Sequence, residues 1–519
     1  MKLNSLYITI LVTLITISST NLVAQNRYDA LRYSKNYYEG TARSIGVGNA
    51  MTSVGGDMGA ITLNPAASAV YRYNEVLITP AVYGRVDETN YIGNNTRDSK
   101  AKFTVPSLGI IGCFDTGRSR GVKNVNLSAS YSGLNSYQSR TSASGEEANT
   151  SWLASTAMQT NGIYHDNLTI KDGNNWDDPY YTGAPWRSVL AWNTFLIDTL
   201  PGYNDEYVAG TENIYDQSIE VGGPLQQEFY KNVSGHNSEL NLNISMNISD
   251  IVYLGFSVGI QSIYYNQKEV YLEEAVNPND FQTGFDYLKH TYSQVTSGAG
   301  YNSKFGIIIT PVTGLRIGTS FATPTLMSMT DTWEEILETK HDLLDDGFAQ
   351  EYSPIGESNY TVISPFKVNS GISYVFGKYG FISLDHEYID YSMIKMRNNY
   401  EEDFAEENKM IKRRFSKANN YRVGGELRII PAMAVRAGYN YYASAEESYD
   451  AEQELASLGI GYRSKGGLFI DLGYQQQLNS ITEEYTLYEN YSDVPELQAP
   501  IMANTYRKWK LLLTLGVRF

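Results

Sequence analysis

Along most of the chain the hydrophobic positions recur at every second residue. Between Asn237 and Ser249, Leu240, Leu242, Ile244, Met246 and Ile248 alternate with Asn241, Asn243, Ser245 and Asn247. That period belongs to a pleated strand with one greasy and one wet face. The same split sets Val125, Leu127, Ala129 and Tyr131 against Asn124, Asn126, Ser128 and Ser130, and Met433, Val435, Ala437 and Tyr439 against Ala434, Arg436, Gly438 and Asn440. It is clearest at the end, where Trp509, Leu511, Leu513, Leu515, Val517 and Phe519 interleave with Lys508, Lys510, Leu512, Thr514, Gly516 and Arg518. The pattern predicts strands at 75–84, 102–116, 121–132, 238–249, 251–266, 294–310, 314–330, 358–376, 379–392, 417–430, 432–447, 453–463, 467–480 and 503–519. These make about 14, an even number.

The connections alternate in length. Short ones fall at 116–120, Asp250, 311–313, 377–378, Pro431 and 464–466, and long ones lie between them, at 133–237, 267–293, 331–357, 393–416 and 481–502, with 448–452 a short exception. Short turns at one end and long loops at the other are the layout of an outer-membrane barrel. A secreted β-sandwich also alternates apolar and polar residues, yet it gives no reason for short and long connections to take turns. The expected fold is therefore all-β: a transmembrane antiparallel β-barrel spanning 75–519.

Composition narrows the classes further. The chain has 519 residues, a formal charge of -17, 43 Tyr against 17 Phe and 6 Trp, and the single cysteine Cys113. After the first segment no apolar run approaches the ~20 residues of a membrane helix. The acidic balance and the lack of basic, aromatic-rich stretches argue against nucleic-acid binding. One cysteine forms neither an internal disulfide nor a CxxC site. The tyrosine excess suits side chains with an apolar body and a wet tip, as in the girdles at a membrane interface. Lys2, the apolar stretch Leu6 to Ile17 and a polar segment before Ala24 have the layout of a secretory signal over 1–24.

Between that signal and the first strand, 25–74 carries Gly40-Thr41-Ala42-Arg43-Ser44-Ile45-Gly46-Val47-Gly48-Asn49-Ala50-Met51 and, further on, Asn64-Pro65-Ala66. With the strand count and the terminal Phe519, this resembles the N-terminal hatch of the FadL/TodX family of outer-membrane transporters for hydrophobic compounds. The segment from Gly314 to Thr319 with Pro324-Thr325 also resembles a mid-barrel strand of that family. The resemblance implies a monomeric barrel in a Gram-negative outer membrane, plugged by the hatch, in which ligand is captured outside and leaves sideways through a kink in the wall. It marks Asn64, Pro65, Ala66, Gly46 and Gly48 as the hatch motif. From the residues themselves, glycine allows close backbone approach in a crowded lumen and Pro65 stiffens the turn after Asn64.

Two groups are candidate ligand contacts. In the loop 133–237, Pro185 opens a helix whose Trp186, Val189 and Leu190 share a face, either a landing groove for greasy ligand or the loop's own core. In the lumen, the alternation turns Arg316, Arg422, Arg428, Arg436 and Arg518 inward with Asp385, Glu387, Glu426 and Asp471. Arg316 or Arg436 could pair with a ligand carboxylate. The competing role for such charges is to neutralise one another and hold the hatch. The five His residues form no i, i+4 metal pair and no GxSxG elbow is present, so neither an enzyme nor a cofactor is expected. Asp172, Asn174, Asp177 and Asp178 do not follow the order of an EF-hand loop. The expected function is passive uptake of hydrophobic small molecules. The rival is a barrel of this family that binds a partner protein in secretion or surface attachment.

Overall fold

The computed structural model describes residues 26–171, 178–216, 218–343, 347–398, 404–446, 449, 451–491 and 498–519; the expected signal at 1–24 lies outside them. The strands are β1 Glu75–Tyr91, β2 Asn94–Asp115, β3 Val122–Ser136 continued by Ser139–Ala148, β4 Leu225–Ile248, β5 Val252–Ala275, β6 Tyr287–Val312 and β7 Leu315–Ala322 continued by Leu326–Lys340. There follow β8 (Gly356–Ile363 and Lys367–Val375), β9 (Gly380–Asp390), β10 (Lys417–Ile430), β11 (Met433–Tyr442), β12 (Gln453–Arg463), β13 (Leu468–Gln477 and Ile481–Thr486) and β14 (Ile501–Arg518). Each pairs antiparallel with its sequence neighbour, and β14 closes on β1 from Glu75↔Arg518 to Asn90↔Ala503. The result is a closed barrel of 14 strands. Asn74 and Phe519 exchange backbone hydrogen bonds of 3.1 Å, so the barrel begins and ends at the rim of the short turns. At one of those turns Ser249 and Asp250 both have positive φ (57° and 61°), the backbone of a two-residue hairpin whose twist matches its strands.

The outward face carries exposed Ile78, Ile110, Leu242, Ile244, Ile260, Ile317, Leu384, Ile460, Leu472, Leu513 and Leu515, a contiguous apolar belt around the wall. An exposed surface of that kind needs a lipid neighbour. The phase of the side chains agrees with the sequence pattern throughout the belt.

The strands run further outward than the pattern predicts. The segment 85–101, expected between strands, completes β1 and β2 and turns at Ile92-Gly93. The loop expected at 133–237 narrows to 149–224, because 139–148 and 225–237 are strand. Likewise β5 continues to Ala275, β6 starts at Tyr287 and β7 reaches Lys340. The reason is a reversal of polarity above the belt. In β5 the belt residues Val258 and Ile260 are exposed while Ser257 and Gln261 are buried, yet further out Tyr265 and Tyr271 are buried and Lys268 is exposed. Above the lipid the inward face gains large apolar side chains, Phe229, Tyr271, Leu288 and Leu337 among them, beside buried polar ones such as Gln227 and Glu273. At the changeover the alternation fades, which is where the sequence pattern lost the strands.

Residues 26–74 fill the lumen with helices α1 (Arg27–Ser34), α2 (Ala42–Gly46) and α3 (Met58–Leu63) and a 3₁₀ turn over Pro65–Val70. The wall receives this segment on glycines paired across strands: Gly255↔Gly306, Gly318↔Gly371, Gly424↔Gly438 and Gly459↔Gly473. A Cβ at Gly306 would overlap Asn64, and one at Gly424 would overlap the Val47 carbonyl. Side chains are missing from the wall where hatch backbone must lie against it.

Two outcomes test this arrangement. Leu513 faces lipid, so Leu513→Arg is expected to lower folding stability in lipid vesicles by about 2 to 4 kcal/mol. Lys508→Arg, on the lumen face of the same strand, should change it little, and equal losses would show the register to be wrong. Gly424→Leu should leave a barrel with the wild-type heat-modifiable gel shift but expose 25–74 to protease in detergent. A hatch as protected as the wild type would refute the role given to the glycine pairs.

Candidate functional site

The hatch motif residues are anchors. Asn64 is fully buried. Its Nδ2 donates to the carbonyls of Thr52 (2.8 Å) and of Ile307 in β6 (3.3 Å), and its Oδ1 accepts from the Ala66 N–H (3.0 Å). One side chain thus satisfies hatch and wall backbone that no ladder serves. Pro65 starts the 3₁₀ turn, and its carbonyl accepts from Asn243 Nδ2 at 3.1 Å. Gly48, at φ 61°, lies on the backbone of Tyr439, and Gly46 packs on Gly459.

The inward charges close on one another. Arg436 donates through Nε to Glu426 (2.8 Å) and pairs with Asp471 (2.6 Å), and Arg43 of the hatch takes the same Glu426 at 2.8 Å. Arg422 is buried 3.7 Å from Glu387, which accepts from the Tyr38 hydroxyl at 2.5 Å, and the Thr52 N–H donates to Asp385 at 2.8 Å. Removing one partner of such a buried pair costs about 3 to 5 kcal/mol. Arg436 is therefore committed to the wall and plug, and Arg316 reaches the hatch carbonyl of Val54.

Trp186 and Leu190 sit far from these arginines, in the cap over the outer mouth. Trp186 opens the helix Trp186–Asn193, donates to the Tyr180 carbonyl at 3.0 Å and lies 5.6 Å from Trp333. Leu190 is wholly enclosed in a core with Trp152, Leu153, Val189 and Phe285. The four candidates do not converge on one place. Asp172, Asn174 and Asp177 lie outside the described residues.

What the pattern missed is a cavity of about 330 Å3 between cap and hatch. Its floor is Tyr28, Leu31, Lys35 and Tyr37, and its walls bring in Tyr137, Tyr265, Tyr449, Tyr485 and Tyr506. Lys35 and Lys508 line it without an ion-pair partner among the described residues, and Lys508 lies 5.3 Å from the Tyr506 ring centre. The signal that could have found it is the tyrosine excess.

A break in the wall adjoins this cavity. The β2–β3 ladder ends at Ser107↔Ser132. The next residue, Pro106, has no N–H to donate. Beyond it the hatch takes over: Tyr37 N–H donates to the Leu134 carbonyl (2.7 Å) and Glu39 N–H to that of Gly133 (2.8 Å). Behind the break lies a chamber of about 240 Å3 lined by Lys102, Thr104, Pro106, Tyr131, Gly133 and His236. Asn135 and Ser136 line this chamber, the large cavity and the small space between them. The three form one series from the outer lumen to the wall.

No family model matches the sequence, and no curated protein is similar to it by sequence. Solved structures do resemble it. A FadL homologue of Pseudomonas aeruginosa superposes with a TM-score of 0.52 at 12% identity, over 92% of this chain and 98% of that one. The toluene transporter TodX of Pseudomonas putida gives 0.51 at 10% identity, over 94% and 100%. At such identity the likeness speaks for the architecture, and it extends along nearly the whole of each chain: this protein has the FadL/TodX-type barrel fold.

Proposed function

We propose that the protein is a channel of the Gram-negative outer membrane for passive uptake of hydrophobic small molecules, such as fatty acids or aromatic hydrocarbons. The observation that carries this reading is the series of cavities joined by Asn135 and Ser136, which leads from above the hatch to the break beside Pro106. Ligand enters through the cap, rests against the tyrosine rings and leaves sideways into lipid. The driving force is removal of apolar surface from water, about 25 cal/mol per Å2, so a ligand hiding about 200 Å2 gains about 5 kcal/mol. The role of TodX as a toluene transporter supports the same ligand class. The closed sheet leaves no strand edge to pair with a second copy, which favours a monomer, and no catalytic step is assigned.

The break can be locked. A Cβ on Gly133 would stand 3.6 Å from that of Pro106, inside the range a disulfide spans. With Cys113→Ser to remove the native thiol, Pro106→Cys/Gly133→Cys should take up labelled fatty acid and toluene into proteoliposomes above the empty-vesicle background when reduced, at a rate below wild type because the N–H at 106 and the Cβ at 133 are restored, and fall to that background when oxidised. Unchanged uptake with the disulfide formed would rule out this exit. Asn64→Ala should leave barrel folding intact and alter uptake by loosening the plug. If wild type moves no compound of a broad panel and copurifies with a protein, the partner-binding reading replaces transport.

A further inference from the structure

On the short-turn side of the hatch lies a separate cavity of about 180 Å3. Arg43, Arg316, Arg428, Arg463 and Arg518 line it, with Glu426 as the carboxylate among them. Neutralisation is incomplete. Arg518 Nε pairs with Glu75 at 2.6 Å, and Arg43 and Arg436 share Glu426 at 2.8 Å each. Arg436 also holds Asp471 at 2.6 Å, Arg43 has Asp57 at 3.9 Å, and Arg428 is 3.8 Å from Glu426. Among the described residues, the hydrogen-bond partner of Arg316 is the Val54 carbonyl, which is neutral. Arg463 is half-buried, and its guanidinium makes no hydrogen bond or ion pair among the described residues. The groups just named therefore leave about two positive charges unmatched in the recess of a chain whose formal charge is -17.

Guanidinium forks fit the oxygens of a phosphate, and a partly desolvated recess strengthens such contacts. Val54, Val70, Val375 and Phe381 supply an apolar side to the same cavity. We propose that this vestibule, facing the periplasm, is an oxyanion site that takes a phosphate group, either free or as the headgroup of an amphiphile whose first methylenes lie on the apolar side. The charge imbalance matches a phosphate better than a carboxylate. Cargo transport is not a premise: the site would exist in a barrel that moves nothing.

The test is calorimetry on the full-length barrel in uncharged maltoside micelles, titrated with inorganic phosphate and with dihexanoyl phosphatidic acid against chloride at matched ionic strength. Phosphate should bind above chloride. Arg463→Gln should weaken it about tenfold, and Arg316→Gln/Arg463→Gln further, since a hydrogen bond to a charged group contributes about 1.5 to 3 kcal/mol. Tighter binding of the lipid than of inorganic phosphate identifies a headgroup site, and equal binding a free-phosphate site. The heat-modifiable gel shift checks folding. If the double variant fails that check, the single variant decides, because the Arg463 guanidinium holds no other group in place among the described residues. Absence of binding above chloride, or wild-type binding by Arg463→Gln, overturns the proposal and leaves the uptake reading untouched.

Discussion

A backbone in hydrocarbon must satisfy its own hydrogen bonds, and the pairing of β1 with β14 is what allows this sheet to do so. Everything else follows from the closure. A ring of 14 strands encloses a lumen too wide for its own side chains to fill, so either water or chain must occupy it. Here residues 26–74 do. Their irregular backbone would be as costly there as an open edge, were it not met by Asn64, Asn243, Thr514 and Asp385, whose side chains bond its N–H and carbonyl groups. The glycine pairs make room for those contacts. A plug of larger side chains on a smooth wall would fill the same volume but leave its backbone unpaired.

The barrel was legible in the sequence because lipid outside and polar lumen inside impose opposite demands on successive residues, and Leu513 and Thr514 obey them. Above the lipid the demand reverses. The buried Tyr271 and the exposed Lys268 of β5 read as polar loop to an eye set on the membrane phase, which is why strand residues there looked like loop. The helix after Pro185 was visible from spacing, while the enclosure of Leu190 was not, because its partners Trp152 and Phe285 come from distant segments.

The candidate site was harder to see, for a physical reason. Charged lumen residues announce themselves by type, yet Arg436 and Arg422 are spoken for by Glu426, Asp471 and Glu387. The break in the wall is built instead from what is missing, an N–H at Pro106 and a Cβ at Gly133. Pro106 was a legible signal: a proline in a strand flanked by two others leaves one ladder position unfilled.

An unfilled ladder position inside a membrane wall has to be met by something, and the hatch meets it with the N–H groups of Tyr37 and Glu39. On the uptake reading proposed above, the plug and the gate would be the same contact. Moving 37–39 aside uncovers the carbonyls of Gly133 and Leu134, at a cost of about 1 to 1.5 kcal/mol for each lost bond. Two such bonds amount to about 2 to 3 kcal/mol, and the buried Tyr38–Glu387 hydrogen bond and the Glu39–Lys510 ion pair at 3.0 Å add to that cost. An apolar ligand wedged between Tyr37 and the wall would return about 2.5 kcal/mol for each 100 Å2 or so of surface it buries in the open form alone. On that reading opening would depend on the ligand's own apolar area, and small polar solutes, which have little to bury, would be held back by the contact that admits greasy ones.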